Sequence, residues 1–349
     1  MLSLLLTGLL ASTGPIMLAD SLNPYYEAFV VLGTGSVLYV GDDGVLRVVE
    51  IDRPMQPLVF RTDWDPADWG WQPCAGIGLL ETSPDGRHIV FTEQVAVPDS
   101  LLGQYDYVPG PVLVVVAGAD GSGSCLVALS FDVGGGPGFD FLSDSRHIYG
   151  GPLLGCDPTP VAFLEMWSGS DQSRYYPEGY LIDISDGSRS GGREDFMGDG
   201  FYSNPWSDLV AAGCYPPNLI ANAATAEVMV EDTSARSPAI IETWVLPDAG
   251  LARTNGSQVL RFADGRVLVN PGNPILVYGR LSDGTHVFSP DEGTTVLRGM
   301  IDWSDFSFET ADTLAGLGGV LEQWRSLLEV PGAGFVFRRG SSLYFYAME

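Results

Sequence analysis

The chain has 349 residues, 45% of them hydrophobic, and its 44 acidic side chains against 17 basic ones give a formal net charge of −27. Every basic residue is arginine, which excludes a Walker-A phosphate loop, a Schiff-base enzyme and a protein kinase, since each needs a lysine ammonium. The same charge repels nucleic acid and anionic membrane surfaces, whose affinity comes largely from neutralised phosphates.

Residues 1–19, MLSLLLTGLLASTGPIMLA, carry an apolar run from Leu2 to Leu10 and then small residues, with Ala19 just before Asp20. The length suits a secretory leader and is too short for a membrane span. A basic n-region is missing, the first basic residue being Arg47. We expect a signal peptide over 1–19 and one domain over 20–349; the alternative is that Leu4–Leu10 is a strand or short buried helix of the fold. The expected locations are secreted, periplasmic or at the cell surface. No later stretch reaches the roughly 20 apolar residues that cross a bilayer.

From there on the chain reads as hairpins. Strand signals near AFVVLG, SVLYVG, VLRVVEI and PLVFR make a first four-stranded unit over about 26–63. A second, over about 77–133, holds GLLET, HIVFTE, VLVVVAG and CLVALSF, with Val97–Pro111 inserted. A third spans 139–196 with an insertion at Gly155–Pro177, a fourth 200–246, a fifth 257–297, and a sixth the remainder. In the last, Thr310–Val330 reads as a helix, with apolar residues at Leu317, Val320, Leu321, Trp324 and Leu328. The chain ends in a hairpin.

The turns carry the repeat. SPDGRHIVF (Ser83–Phe91) sets an Asp-Gly turn before a β-branched run, a hairpin signature because such turns need positive φ. LSDSRHIYG (Leu142–Gly150) repeats it with Ser145 in place of glycine, and LSDGTHVFS (Leu281–Ser289) repeats it again. The three histidines of the chain, His88, His147 and His286, all stand two residues beyond these turns. Looser copies occur at Val40–Ile51, Tyr202–Gly213 and Leu260–Asn270. A period of about 40–45 residues with several strands per unit belongs to propeller blades. The expected fold is all-β: a single β-propeller of about six four-stranded blades, five to seven, with one short helix near the C-terminus; a sandwich is the rival.

SPDGRHIVF resembles the WD40-like repeat of TolB-type β-propellers, marked by a Ser-Pro-Asp-Gly turn before an apolar strand. The other copies keep only part of it. The resemblance implies architecture over roughly 26–349 and leaves activity open, because such scaffolds serve binding proteins and enzymes alike. Some propeller lyases of this repeat type hold a metal through histidines; here a polar residue opening a strand is the favoured role for His88, His147 and His286, and no metal or cofactor is expected.

Candidate sites are few. Trp64, Trp69 and Trp71 crowd one loop with Asp63, Asp65 and Asp68, and Trp167, Tyr175, Tyr176 and Tyr180 lie in or beside the long insertion. Flat rings stack on sugars or anchor protein partners, and inserted aromatic loops on rigid scaffolds are where recognition sits; they equally fill the wedge between blades. Any ligand is expected on a face shared by the two loops. The acidic loop lacks EF-hand spacing and reads as solvated. Cys74, Cys125, Cys156 and Cys214 form no metal-ligand pattern. Export favours disulfides, Cys74 with Cys125 and Cys156 with Cys214 as the simplest pairing; the alternative is four buried thiols. Neither G-x-S-x-G nor H-E-x-x-H occurs. The leading function is an exported, non-enzymatic scaffold for a protein or glycan partner. A polysaccharide hydrolase or lyase using carboxylates is the alternative, and a structural subunit of a surface assembly the third.

Overall fold

The computed structural model describes residues 14–23, 29–103, 110–131, 138–151, 159–169, 179–193, 201–204, 207–212, 218–222, 227–232, 240–246, 249–254, 257–262, 267–270, 272, 275–291, 293–321 and 327–348. Twenty-eight strands among them form seven four-stranded sheets, hereafter blades. Blade 1 holds β2 (Phe29–Val31), β3 (Val37–Val40), β4 (Leu46–Val49) and β5 (Leu58–Val59). Blade 2 holds β6 (Gln72–Thr82), β7 (His88–Ala96), β8 (Pro111–Gly118) and β9 (Cys125–Phe131). Blade 3 holds β10 (Gly138–Phe141), β11 (His147–Gly151), β12 (Gly179–Asp183) and β13 (Arg189–Arg193); blade 4 holds β14 (Phe201–Asn204), β15 (Ser207–Ala212), β16 (Asn218–Asn222) and β17 (Glu227–Asp232). Blade 5 is β18 (Ile240–Leu246), β19 (Ala249–Thr254), β20 (Ser257–Phe262) and β21 (Val267–Asn270); blade 6 is β22 (Leu276–Arg280), β23 (His286–Ser289), β24 (Leu297–Asp302) and β25 (Ser307–Thr313). Blade 7 combines β26 (Leu327–Val330), β27 (Gly334–Arg339) and β28 (Ser342–Ala347) with β1 (Ile16–Ala19) from the start of the chain.

Six blades follow the order of the chain; in the seventh the order is β1-β28-β27-β26. Short consecutive hairpins plus a last sheet completed by the first strand are the connectivity of a β-propeller, the all-β class expected from the repeats. The chain divides into two compact units, Met1–Phe60 with Leu251–Arg261 and Val267–Glu349, and Arg61–Gly250 with Phe262–Arg266. In the first, β2 and β22 each adjoin β26; in the second, β6 adjoins β10, β10 adjoins β14, and β14 adjoins β18. Every one of these is the first strand of its blade, the strand a propeller places innermost.

Burial follows the strand position. β3 and β23 are buried at every residue, and β25, a fourth strand, is exposed at every residue. Valine and isoleucine are frequent in the middle strands of blades 1 and 2 because branched side chains fit a sheet covered on both faces. One core of the second unit joins Val90, Val114 and Val116 of blade 2 to Phe139, Phe141 and Ile148 of blade 3. In the first unit, Leu18, Phe29, Tyr39, Val336, Leu343 and Phe345 form another.

Three expectations need correction. Among the described residues of Thr310–Val330 there is no helix: Thr310–Thr313 ends β25, turns follow to Val320, and Leu327–Val330 is β26. Glycine decides this. Gly316 and Gly319 take φ of 78° and 66°, and a Cβ on Gly318 would lie 2.1 Å from the carbonyl oxygen of Thr294. Leu317 is buried and Val320 and Leu321 pack beside it, so the apolar spacing is real but serves a folded turn; Trp324 lies outside the described residues. Conversely, a helix at Pro160–Gly169 stands inside the insertion expected as loop. The Cys74–Cys125 bridge does not form, and both thiols are free and exposed. They lie on the first and fourth strands of blade 2, with β7 and β8 between, about 14 Å across at ordinary strand spacing. Along the strands they are further offset, because Cys125 pairs with Val116, Val116 with Val90 and Val90 with Glu81; a disulfide spans at most about 7 Å between Cα atoms. Cys156 and Cys214 lie outside the described residues.

Candidate functional site: an aromatic ledge beside blade 2

The loop between blades 1 and 2 is tied down from both sides before it presents anything. The Asp63 amide donates to the Gly121 carbonyl (3.0 Å), and its carboxylate accepts the amides of Gly123 (2.9 Å) and Ser124 (2.8 Å) in the β8–β9 turn. Gly121 has φ of 86°, and a Cβ there would lie 2.1 Å from the Arg61 carbonyl oxygen, so the close approach depends on glycine. Asp65 then caps a 3-10 turn, Pro66–Trp69, by accepting the Ala67 amide at 2.9 Å, and Gly70 ends it in the left-handed region. Two of the three clustered aspartates are thus spent on backbone amides, which is why the loop has a fixed shape.

The far end is anchored by apolar packing. Trp71 is 2% exposed and sets its ring against Phe163, centroids 5.8 Å apart and planes at 72°. Phe163 belongs to the Pro160–Gly169 helix. That helix begins at a Thr-Pro pair: the Thr159 hydroxyl accepts the Ala162 amide at 3.3 Å, and proline suits the first turn, where its missing N–H costs nothing. The loop at 61–71 and the insertion's helix thus touch through Trp71 and Phe163, both buried.

What the loop presents is a pair of rings over a carboxylate. Trp64 and Trp69 stack with centroids 6.4 Å apart and planes 29° apart, Trp69 being 40% exposed. Trp64 Nε1–H donates to Glu93 Oε2 at 2.7 Å. Glu93 stands on β7, and burial pushes its carboxyl above the usual range; the Trp64 hydrogen bond opposes this, and Asp65 adds to it. A partly desolvated carboxyl beside half-buried Trp64 and exposed Trp69 can accept hydrogen bonds from hydroxyl or cationic groups, and its charge would repel anions.

The expected site residues are therefore separated by the fold. Trp64 and Trp69 share the ledge. Trp71, expected with them, is a core residue: its ring is the one the helix covers. The backbone of Trp167 lies in that helix, while Tyr175 and Tyr176 fall outside the described residues. Glu93 was not singled out in the sequence, although an acidic residue inside the apolar run HIVFTEQVA was a usable signal. Phe163 was equally missed; the Thr-Pro start of its helix was legible.

The repeated histidines occupy one structural place, the first residue of the second strand in blades 2, 3 and 6. Their surroundings differ. His147 Nδ1 pairs with Asp144 Oδ2 at 2.5 Å. His286 is buried against the edge of Trp303, 5.9 Å between centroids, and its Nδ1 has no hydrogen-bond partner. Burial, with Arg280 adding to it, lowers the His286 pKa to about 4. Among the described residues no three His, Cys, Asp or Glu side chains converge as metal ligands, and no helix is long and apolar enough to cross a membrane.

No protein-family model matches the sequence, and no curated protein matches it significantly. Among solved structures, the chain is similar to a putative TolB from Agrobacterium tumefaciens, at 11% identity and a TM-score of 0.41, covering 91% of this chain and 88% of that one. It is also similar to an oligogalacturonate lyase in complex with manganese, at 11% identity and a TM-score of 0.43, covering 78% and 72%.

Proposed function

We propose that this propeller is an exported, non-enzymatic binding scaffold, and that its ligand is a neutral or amino-bearing glycan laid across the Trp64–Trp69 ledge. The observation that carries the reading is the stacked pair of half-buried Trp64 and exposed Trp69 on a loop pinned by Asp63 at one end and Trp71 at the other. Sugar rings stack on indole faces, and a rigid platform loses little conformational freedom on binding. Glu93 and Asp65 supply acceptors for hydroxyl or ammonium groups at its edge, and the local acidity turns away polyuronides.

Binding of neutral, amino-bearing and uronic oligosaccharides, followed by tryptophan fluorescence and calorimetry, tests this. Trp69→Ala is expected to weaken binding by at least about tenfold with Tm unchanged. Trp71→Ala is expected to cost about 3–5 kcal/mol of stability, as for a buried aromatic. Retention of full affinity in folded Trp64→Ala and Trp69→Ala proteins would remove the ledge from the reading. Turnover of a bound glycan that disappears in Glu93→Gln would replace it with the hydrolase or lyase alternative.

A further inference from the structure

We propose that Ile16–Ala19 belongs to the mature protein, and that any export leader ends before Ile16, in the small-residue stretch Ala11–Gly14, not at Ala19. The inference is independent of the ligand assigned to the ledge.

The strand β1 is built into blade 7. Ile16 pairs with Phe345, Met17 with Tyr344 and Ala19 with Leu343 along β28. Leu18 is fully buried and Ala19 1% exposed, both in the core with Val336, Leu343 and Phe345. The Leu18 carbonyl accepts the Met55 amide at 2.7 Å, and the Leu22 amide donates to Ser341 at 2.9 Å. Leu22 also bridges Gly41. Residues 16–22 thus link blades 1 and 7 within one compact unit. Cutting after Ala19 would unpair the outer edge of β28 and open a space where Leu18 sat, and an unpaired apolar edge is a template for aggregation.

The cleavage chemistry points the same way. Leader processing needs small side chains at the last and third-last positions. A cut after Ala19 puts Met17 at the third-last place, whereas three of the four residues in Ala11–Gly14 are small, only Thr13 being bulkier. The apolar run Leu2–Leu10 leads straight into this stretch and has the length of a leader core.

Intact-mass measurement of the full chain, expressed with its own N-terminus in an exporting bacterium, is the first test. A folded product that begins at or before Ile16 supports the proposal, and a folded, monodisperse product that begins at Asp20 or later overturns it. Proteins truncated to 16–349 and 20–349 give the second readout. The former is expected to melt within about 2 °C of the full chain. The latter is expected to melt about 10 °C lower or fail to fold, given the few degrees that each kcal/mol shifts Tm. Equal melting of the two, or failure of 16–349 to fold, overturns the assignment.

Discussion

At the scale of single residues, the recurring turn shows how one sequence pattern meets different demands. In blade 2 the Ser83 hydroxyl donates to Asp85 at 2.7 Å and accepts the His88 amide at 3.0 Å, closing SPDG on itself. In blade 3 the glycine position is held by Ser145, with φ of 57°. A left-handed serine is costly by about 1 kcal/mol or more, and its hydroxyl accepts the Asp85 amide of the neighbouring turn at 3.0 Å, which offsets the cost. His286 is the opposite case, a polar ring at the same repeat position sealed into the core. Its pKa of about 4 lies below the ordinary 6.5, so the unfolded chain takes up a proton more readily. The stability this neutral ring permits is therefore intact above about pH 6.5 and is lost as pH falls toward 4, by roughly 3 kcal/mol in all. Arg280, which faces His286 across the β22–β23 ladder, deepens the effect. Denaturant titrations at pH 7.5 and 4.5 are expected to show this loss, and a folded His286→Gln protein to show a flatter profile.

At the scale of elements, propensity misled where glycine or a remote partner decided the outcome. Thr310–Val330 has a helical apolar spacing, yet three glycines within it are required in turn geometry or at a close approach to Thr294. Gly318→Ala is accordingly expected to cost at least about 2 kcal/mol, as for backbone strain at an over-determined site, measurable as a lower midpoint in urea with unchanged slope. Two of the three looser repeat copies fall out of phase, while Tyr202–Gly213 keeps it as the first-to-second turn of blade 4. Val40–Ile51 is the second-to-third turn of blade 1 and Leu260–Asn270 the third-to-fourth turn of blade 5, whereas Ser83–Arg87, Leu142–Arg146 and Leu281–Thr285 are all first-to-second turns. Asp-Gly marks any hairpin because the turn requires it, so it cannot by itself give blade phase. Phase is also why the count falls at seven, the top of the expected five to seven: Ile240–Leu246 reads as the close of the fourth blade, but Glu227–Asp232 closes it and Ile240–Leu246 opens the fifth.

At the scale of the whole molecule, charge and closure dominate. A net charge of −27 with no lysine makes self-repulsion a standing cost. Some of it is relieved locally: Arg47 binds Asp43 through both oxygens at 2.7 and 2.8 Å, holding that carboxyl down at about 2, and Arg298 joins Asp283 to Asp312. Among the described residues, other aspartates accept amides of their own turns, as Asp120, Asp186 and Asp302 do. Such groups solvate the surface without cancelling charge. Raising ionic strength from about 10 mM to 1 M shortens the screening length from roughly 30 to 3 Å. The melting temperature is therefore expected to rise by several degrees over that range in calorimetry; a fall would show that ion pairs outweigh repulsion.

Local chemistry in the sequence was enough to determine the strands of blades 1 and 2, the hairpin turns between them, the all-β class and the aromatic character of the loop at 61–71, because alternation and turn residues act over a few positions. Only the tertiary structure decided that Trp71 is core while Trp69 is surface, that Glu93 lies under Trp64, that Cys74 and Cys125 are too far apart to join, and that Ile16–Ala19 completes a sheet begun more than three hundred residues later. Each of these depends on which distant segment arrives at a given place, and no short-range pattern encodes that meeting.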